Sequence, residues 1–317
     1  MNGFFRYFLK RLALGILTVF VLATATFTAL HLIPGDPLLS EKEQTPELRA
    51  SLMKQYHLDQ PPLVQYGYFL KDLSRGEFGI SFTQPNRKVN DIIRDHFPVS
   101  ATLGLLAISL AATGGILLGS FSALRRGQAL DRATLFWVIL GVSVPNFVIA
   151  ACLQLAISEL NQKTGTEWLP VGGWGSFHHR ILPAIVLALG TQAFLTRLMR
   201  SSLLEVVHQD YIRTARAKGL SPLRIFFVHQ LKNAVLPVLT YLGPSIASVT
   251  TGGFVVESVF AIPGLGRYFV QAIQQLDYTV ILGLTVFYGS FLVLMVLAVD
   301  LLYGLVDPRI SLEGRTR

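Results

Sequence analysis

Charge is scarce in this chain. Asp, Glu, Lys and Arg make up 15% of its 317 residues, against roughly 25% in ordinary soluble domains. Hydrophobic residues make up 51%, and the mean hydropathy is +0.50. Together these exclude a disordered or collagen-like chain and point to a membrane protein. Cysteine is almost absent: the single Cys152 lies inside an apolar run, which excludes an intramolecular disulfide framework and a thiolate metal cluster. No segment has the Gly-x-x-x-x-Gly-Lys-Ser/Thr spacing that cradles ATP phosphates. His178 and His179 are adjacent, not four apart as in a helical zinc pair, and read as loop histidines. Gly141-Val142-Ser143-Val144-Pro145 lacks the last glycine of a nucleophile elbow and has no strand before it, so it reads as a proline kink relieved by a hydroxyl. The sequence presents no catalytic and no metal-ligating set, low-complexity tract or tandem repeat.

What is present is long uncharged runs. Residues 12–35, 96–124, 133–158, 233–256 and 278–299 contain no Asp, Glu, Lys or Arg. Each is long enough to cross about 30 Å of hydrocarbon as a helix. A sixth run, Ile181 to Thr196, is shorter, but Arg197 and Arg200 follow it and can snorkel to the headgroups. The expected fold is all-α and polytopic, with six transmembrane helices. Arg6, Lys10 and Arg11 precede the first run as in a signal peptide, yet its apolar length exceeds the roughly 7–15 residues of a signal core, so an uncleaved helix is expected. Gly115 and Gly119, with Ala111 before them, form a small-residue stripe suited to close helix packing, within the subunit or against a partner.

The formal charge of +8 is distributed by segment. Sixteen of the 27 Lys and Arg fall in the N-terminus, the loops around Arg125 and Arg213, and the C-terminal tail. The opposite short loops hold only Lys163, Arg180 and Arg267. The positive-inside rule therefore places both termini in the cytoplasm. The long segment 36–95 is external, with eight basic residues against nine carboxylates. Thr45-Pro46 ahead of Leu48, Leu52 and Tyr56, and Pro61-Pro62 ahead of Leu63, Tyr66, Leu70 and Leu73, predict short helices there. This external helical subdomain either packs on the membrane helices or meets a soluble partner. After Pro263, the residues Leu265, Phe269, Ile273 and Leu276 set an apolar face opposite Gln271, Gln274 and Gln275, as in an interfacial helix. The organisation is thus 1–35, N-terminus and first span; 36–95, external subdomain; 96–304, core with spans two to six and a loop at 201–232; and 305–317, cytoplasmic tail.

That loop carries the chemistry. From Glu205 to Lys218 the pattern predicts a helix with Val207, Tyr211 and Ala215 on one face and Asp210, Arg213 and Arg216 on another. Gly219 stops it in a left-handed conformation. Ser221 then caps a second helix with Pro222 in its first turn. The product is a stiff elbow that presents Ala215 to Gly219 to the cytosol. A helix, glycine turn and basic helix also describe a DNA-binding module. Here Ile225, Phe226, Phe227, Val228 and Leu231 make the second helix apolar and it runs through Asn233 into span five, so no recognition helix is free and nucleic acid is not expected as a partner.

Asp210-Tyr211-Ile212-Arg213-Thr214-Ala215-Arg216-Ala217-Lys218-Gly219-Leu220-Ser221, followed by His229 and Asn233-Ala234-Val235-Leu236-Pro237-Val238, resembles the EAA loop of ABC importer permeases of the dipeptide, oligopeptide and nickel class. Leu32-Ile33-Pro34-Gly35-Asp36-Pro37, Leu58-Asp59-Gln60-Pro61, Gly76-Glu77-Phe78-Gly79, Val255-Val256-Glu257-Ser258-Val259-Phe260, Pro263-Gly264-Leu265-Gly266-Arg267 and Asp307-Pro308-Arg309 extend the likeness along nearly the whole chain. In this order they resemble the B-type member of the permease pair. Arg213 and Thr214 stand where the wider superfamily has Glu and Ala, a variant that peptide-type permeases share.

The resemblance implies a multi-pass subunit of the cell inner membrane forming half of a translocation path for short peptides. Its implied partners are a homologous second permease, two ATP-binding subunits, an external solute-binding protein and the lipid bilayer. No cofactor is expected on this chain, ATP and Mg being used by the partner subunits, and no enzyme activity of its own. Asp210, Tyr211, Arg213, Thr214, Ala215, Arg216, Ala217, Lys218, Gly219 and Leu220 are the expected coupling helix that docks on an ATPase. Pro244, Gly252, Gly253 and Glu257 are the candidate gate or hinge, with tight packing as the other account of the glycines. A self-contained channel or ion-coupled carrier is the alternative. Such carriers keep ionisable residues within their spans, whereas His31, His96 and Asp300 all lie near span ends.

Overall fold

The computed structural model describes residues 2–32, 53–54, 56–84, 86–251 and 253–306. Gly252, the Thr45–Leu52 helix start, the motif from Ile33 to Pro37 and Asp307-Pro308-Arg309 lie outside the described residues, as does the side chain of Asp300. In chain order come α1 (Asn2–Leu32), α2 (Pro62–Ser74), α3 (Val89–Leu124), α4 (Ala129–Ser143), α5 (Asn146–Thr164), α6 (His178–Val207), α7 (Asp210–Ala217), α8 (Leu236–Thr251), α9 (Phe254–Val259), α10 (Leu265–Gln274) and α11 (Tyr278–Val306). Among the described residues, four helices are long and apolar enough to cross a membrane, or six if each of two bent pairs is one span.

The expected third span is one of those pairs. Helices α4 and α5 meet at 107°, so Pro145 makes a break and not the kink expected of it. Proline pushes the residue before it out of the helical region, and Val144 is accordingly extended (ψ 124°) between the two helices. At 15 and 19 residues, the halves are about 22 and 28 Å long at 1.5 Å per residue. The other pair, Pro222–Ala234 and Leu236–Val259, bends by 47°.

The chain divides into two compact units. The first comprises residues 1–98, 264–297 and 308–317. In it, Val89, Ile92, Leu265, Ala272, Val280 and Leu284 form one buried cluster, and Ala23, Leu30, Leu282 and Val286 another. Three of the four threonines of α1 are satisfied within the helix: Thr18, Thr24 and Thr28 each donate to the carbonyl four residues earlier at 2.8 Å. That is how hydroxyls are accommodated where no water is available. Pro62 opens α2 as expected, and this helix packs on α1. Tyr66 Oη lies 2.5 Å from Thr24 Oγ1, and the Phe27 ring lies 5.1 Å from Tyr66 and 6.0 Å from Phe69. Leu63, expected on the packed face, is 85% exposed. In α10, Leu265 is buried and Phe269 packs against its cluster, but Ile273 and Leu276 are exposed.

After α10 comes a polar knot. Asp277, 1% exposed, accepts from the Ser81 and Thr83 hydroxyls, the Phe82 and Thr83 amides, and the Val280 amide. The last bond caps α11 at its N-terminus. The others tie down the loop that leads to α3.

The second unit comprises residues 99–263 and 298–307, and α6 is its central helix. The uncharged run Ile181 to Thr196 looked short because its helix extends to Val207 and is lined with buried residues from Leu182 to Leu203. Glycines let the neighbours approach. A Cβ on Gly115 would come within 2.7 Å of Leu195 Cβ, and one on Gly119 within 2.6 Å of the Thr196 carbonyl oxygen and 2.7 Å of Met199 Cβ. On α4, a Cβ on Gly141 would come within 3.0 Å of Ala193 Cβ. The small-residue stripe therefore serves packing within the subunit.

Candidate functional site

The elbow begins where α6 ends. The expected helix from Glu205 to Lys218 is interrupted: α6 stops at Val207, and the His208 and Gln209 amides close the last turn on Glu205 and Val206 carbonyls. Helix α7 starts at Asp210, with an acid in its first turn and Arg216 in its last, signs that suit the helix dipole. Because of the break, Val207 packs with the cluster around Leu203 and Val238, while Tyr211 is exposed and its hydroxyl accepts from Asn233 Nδ2 at 3.1 Å. The three residues expected on one face are thus in three environments.

The glycine turn is as expected. Gly219 has φ +73°, its amide donates to Arg216 O at 2.9 Å, and the Leu220 amide donates to Ala215 O at 3.3 Å. This pair of bonds satisfies the last carbonyls of α7, and Leu220 packs with Ile212, Ala215 and Ile225 to complete the motif. A Cβ on Gly219 would meet nothing within 4 Å, so conformation alone, and not clearance, demands glycine. Pro222 opens the next helical turn, Pro222–Arg224. Ser221 precedes it without the expected side-chain cap; its carbonyl accepts from the Ile225 amide at 3.0 Å. A π-helix follows over Ile225–Leu231, then a turn at Lys232–Ala234.

Asp210, Tyr211, Arg213, Thr214, Arg216, Ala217, Lys218 and Gly219 are exposed, Leu220 is half-buried, and Ala215 is buried. Ala215 is therefore part of the elbow's internal joint and is not presented outward as expected. The Arg213–Asp210 pair is 3.6 Å apart with side chains 75% and 96% exposed, a contact that adds little to stability. What this arrangement offers is a short, rigid, exposed helix with small residues and cations at its tip.

An ion pair fixes the helix that carries the elbow. Arg200 on α6 donates through Nε to Asp131 Oδ1 at 2.8 Å and through Nη2 to Oδ2 at 2.9 Å. The same carboxylate accepts from Ser122 Oγ and the Gly127 amide. Arg200 therefore does not snorkel, as its sequence position suggested. Arg197 is exposed, with its guanidinium 5.6 Å from the Phe194 ring centroid. Sequence reasoning missed this pair; its one local signal is an acid in the first turn of α4, after a glycine.

The candidate gate residues are partly assembled. Pro244 lies within α8 and is exposed; the 47° bend lies between Ala234 and Leu236, well before it. Gly253 has φ −75° at the N-cap of α9, and a Cβ there would make only ordinary contacts of 3.5 to 3.7 Å with Leu187, Val249 and Glu257. Neither backbone conformation nor tight packing requires glycine at this position. Glu257, 2% exposed, accepts from Ser100 Oγ at 2.6 Å, so α9 is tied to α3 through a buried carboxylate. Among the described residues, no group of three or more His, Cys, Asp or Glu side chains is placed to hold a metal.

Comparison with known proteins agrees with the sequence motifs. Residues 115–312 match the model of the binding-protein-dependent transport system inner membrane component family, and residues 4–104 match that family's N-terminal membrane component. The dipeptide transport system permease protein of Bacillus subtilis is 45% identical over 312 residues, covering 98% of this chain and 99% of the relative. The oligopeptide transport system permease protein of Haemophilus influenzae is 40% identical, and that of Escherichia coli K12 is 39% identical, each over 96% of this chain and 99% of its own length. A solved structure of a methionine ABC transporter in inward-facing conformations superposes with a TM-score of 0.51 at 18% identity, over 68% of this chain and 96% of that one. That likeness extends to the fold. The chain belongs to the inner membrane components of binding-protein-dependent transport systems, in the dipeptide and oligopeptide permease class of ABC transporters.

Proposed function

We propose that this chain forms half of an import path for short peptides and couples it to a cytoplasmic ATPase through the elbow at 210–220. The observation that carries the coupling role is the exposed, glycine-stopped α7, held by a hydrogen-bonded turn and a small apolar joint. A stiff element of this kind transmits the motion of a docked ATPase as a rigid-body rotation. Asp210, Tyr211, Arg213, Thr214, Ala217, Lys218 and Gly219 form the docking face; Ala215 and Leu220 hold it, and Arg216, at the flank of α7, lines the groove beside α3. The partners are a homologous second permease, two ATP-binding subunits that use ATP and Mg, and an external solute-binding protein. Both termini face the cytoplasm, segment 36–95 the outside, and 96–304 contains the core. Pro244, Gly252, Gly253 and Glu257 contribute to the gate, Glu257 through its hold on Ser100.

The test has two parts. Tagged chain, isolated in mild detergent and passed through size exclusion, should retain a second permease and ATPases with phosphate-binding loops by mass spectrometry. Ala217→Trp and Gly219→Pro should then abolish peptide uptake while the chain remains folded in the membrane. Normal uptake by both variants, or recovery of the chain alone, refutes the coupling role.

A further inference from the structure

Between the C-terminal end of α3 and the second arm of the elbow lies a groove of about 730 Å³, within the roughly 300–1,000 Å³ range of small-molecule sites. Leu117, Phe121 and Leu124 form one wall, and Leu223 and Phe227 another. All five are more than half exposed. On a membrane helix such exposure is ordinary at mid-depth, but Leu117, Phe121 and Leu124 lie at the end of α3, which stops directly before Arg125 and Arg126.

Three polar side chains line the groove: Ser120, Arg216 and Gln230, the last 5% exposed. Arg216 is the one charged residue that lines it, with no carboxylate among the lining residues, and Arg224 stands in sequence between Leu223 and Ile225, which both line it. Ser120, 6% exposed, has a buried Oγ with no hydrogen-bond partner among the described residues. A buried hydroxyl without a partner is unfavourable, so an occupant able to accept its proton is favoured. A helix of another protein brings backbone groups already satisfied within it. Its backbone would therefore answer neither Ser120 nor Arg216, whereas a phospholipid carries ester carbonyls and a phosphate that match both.

We propose that the groove binds one anionic phospholipid. An acyl chain lies along Leu117, Phe121, Leu124 and Phe227, an ester carbonyl accepts from Ser120 Oγ, and the phosphate pairs with Arg216. The assignment to the cytoplasmic leaflet rests on the orientation proposed above. The lipid would sit against the elbow's second arm, so the lipid composition of that leaflet would bear on the coupling element.

The experiment uses the full chain with its co-purifying subunits, exhaustively delipidated in detergent and offered phosphatidylglycerol or phosphatidylcholine of identical acyl chains. Native mass spectrometry should show one phosphatidylglycerol retained about fivefold over phosphatidylcholine, the preference expected of one well-placed basic residue. Arg216→Gln should bring the two lipids to parity. Leu117→Trp, at an exposed wall position that leaves the fold intact, should lower retention of both. Independently, Phe227→Trp fluorescence should be quenched more by brominated phosphatidylglycerol than by brominated phosphatidylcholine. Equal retention of the two lipids, indifference to both variants, or a photo-crosslinker at Phe227 that captures the second permease in place of lipid would overturn the proposal. Labelling of Lys218→Cys by an impermeant thiol reagent from outside intact cells would overturn the orientation alone, because the lipid ratio is measured without reference to it.

Discussion

Removing one member of the Asp131–Arg200 pair should destabilise the chain far more than removing both. Asp131→Leu removes an acceptor from four donors, Arg200 Nε and Nη2, Ser122 Oγ and the Gly127 amide, of which Arg200 Nε keeps a second acceptor in Ser122 Oγ at 3.1 Å. With the side chains only 4% and 21% exposed, the guanidinium left behind has little access to water, and breaking such a pair costs about 3–5 kcal/mol. Arg200→Met should fall at the lower end, since the carboxylate keeps Ser122 and Gly127. Replacing the pair by Leu and Met together removes both charges and should recover a coupling energy of about 2 kcal/mol or more. For a unit of this size, about 2–4 °C per kcal/mol puts the single variants on the order of 10 °C below the parent. The control is Glu159→Gln, which breaks the Lys163–Glu159 contact, whose side chains are 76% and 69% exposed and whose worth is about 0.5 kcal/mol or less. Fluorescence-detected size exclusion after graded heating reads all four variants in detergent. A midpoint for Asp131→Leu no lower than the control, or a double variant that loses the sum of the two singles, refutes the reasoning.

Two glycines give opposite expectations. Gly119→Val drives its side chain into the Thr196 carbonyl and Met199 Cβ, backbone and near-backbone atoms that cannot step aside, so a loss of about 1–3 kcal/mol is expected; Gly253→Ala makes only ordinary contacts and should leave the thermal midpoint within experimental error. Asp277→Ala removes the acceptor of five bonds around the loop at 81–83 and the cap of α11, and limited proteolysis should open that loop, whereas cleavage no faster than in the parent would sink this account. Gly219→Ala places an L residue in a left-handed position with free space around it, which costs about 1–2 kcal/mol; partial loss of uptake is expected, set against the complete loss with Gly219→Pro.

The features legible in the sequence are those with local causes. The left-handed Gly219 and the Pro62 and Pro222 helix starts depend on one or two residues whose backbone preferences are strong. The uncharged runs were equally visible, because hydrocarbon excludes charge wherever the chain folds. What escaped was relational. Asp131 and Arg200 stand 69 positions apart, and each taken alone suits a membrane boundary. Pro145 announced a disturbance, but its 107° size depends on how α4 and α5 pack on α6, which no periodicity encodes. The stop at Val207 was hidden for a different reason: His208 and Gln209 are tolerable helix residues, and tertiary packing of Val207 and Ala215 overrides them.

The contact of α3 with α6 also constrains motion. With Leu195 and Met199 Cβ atoms and the Thr196 carbonyl standing where Gly115 and Gly119 would carry a methyl group, the two helices mesh without clearance. Sliding one along the other by even a fraction of a turn would bring larger neighbours over the notch. Shear between them is therefore closed as a transport movement. Any rearrangement must carry the two helices together as one body.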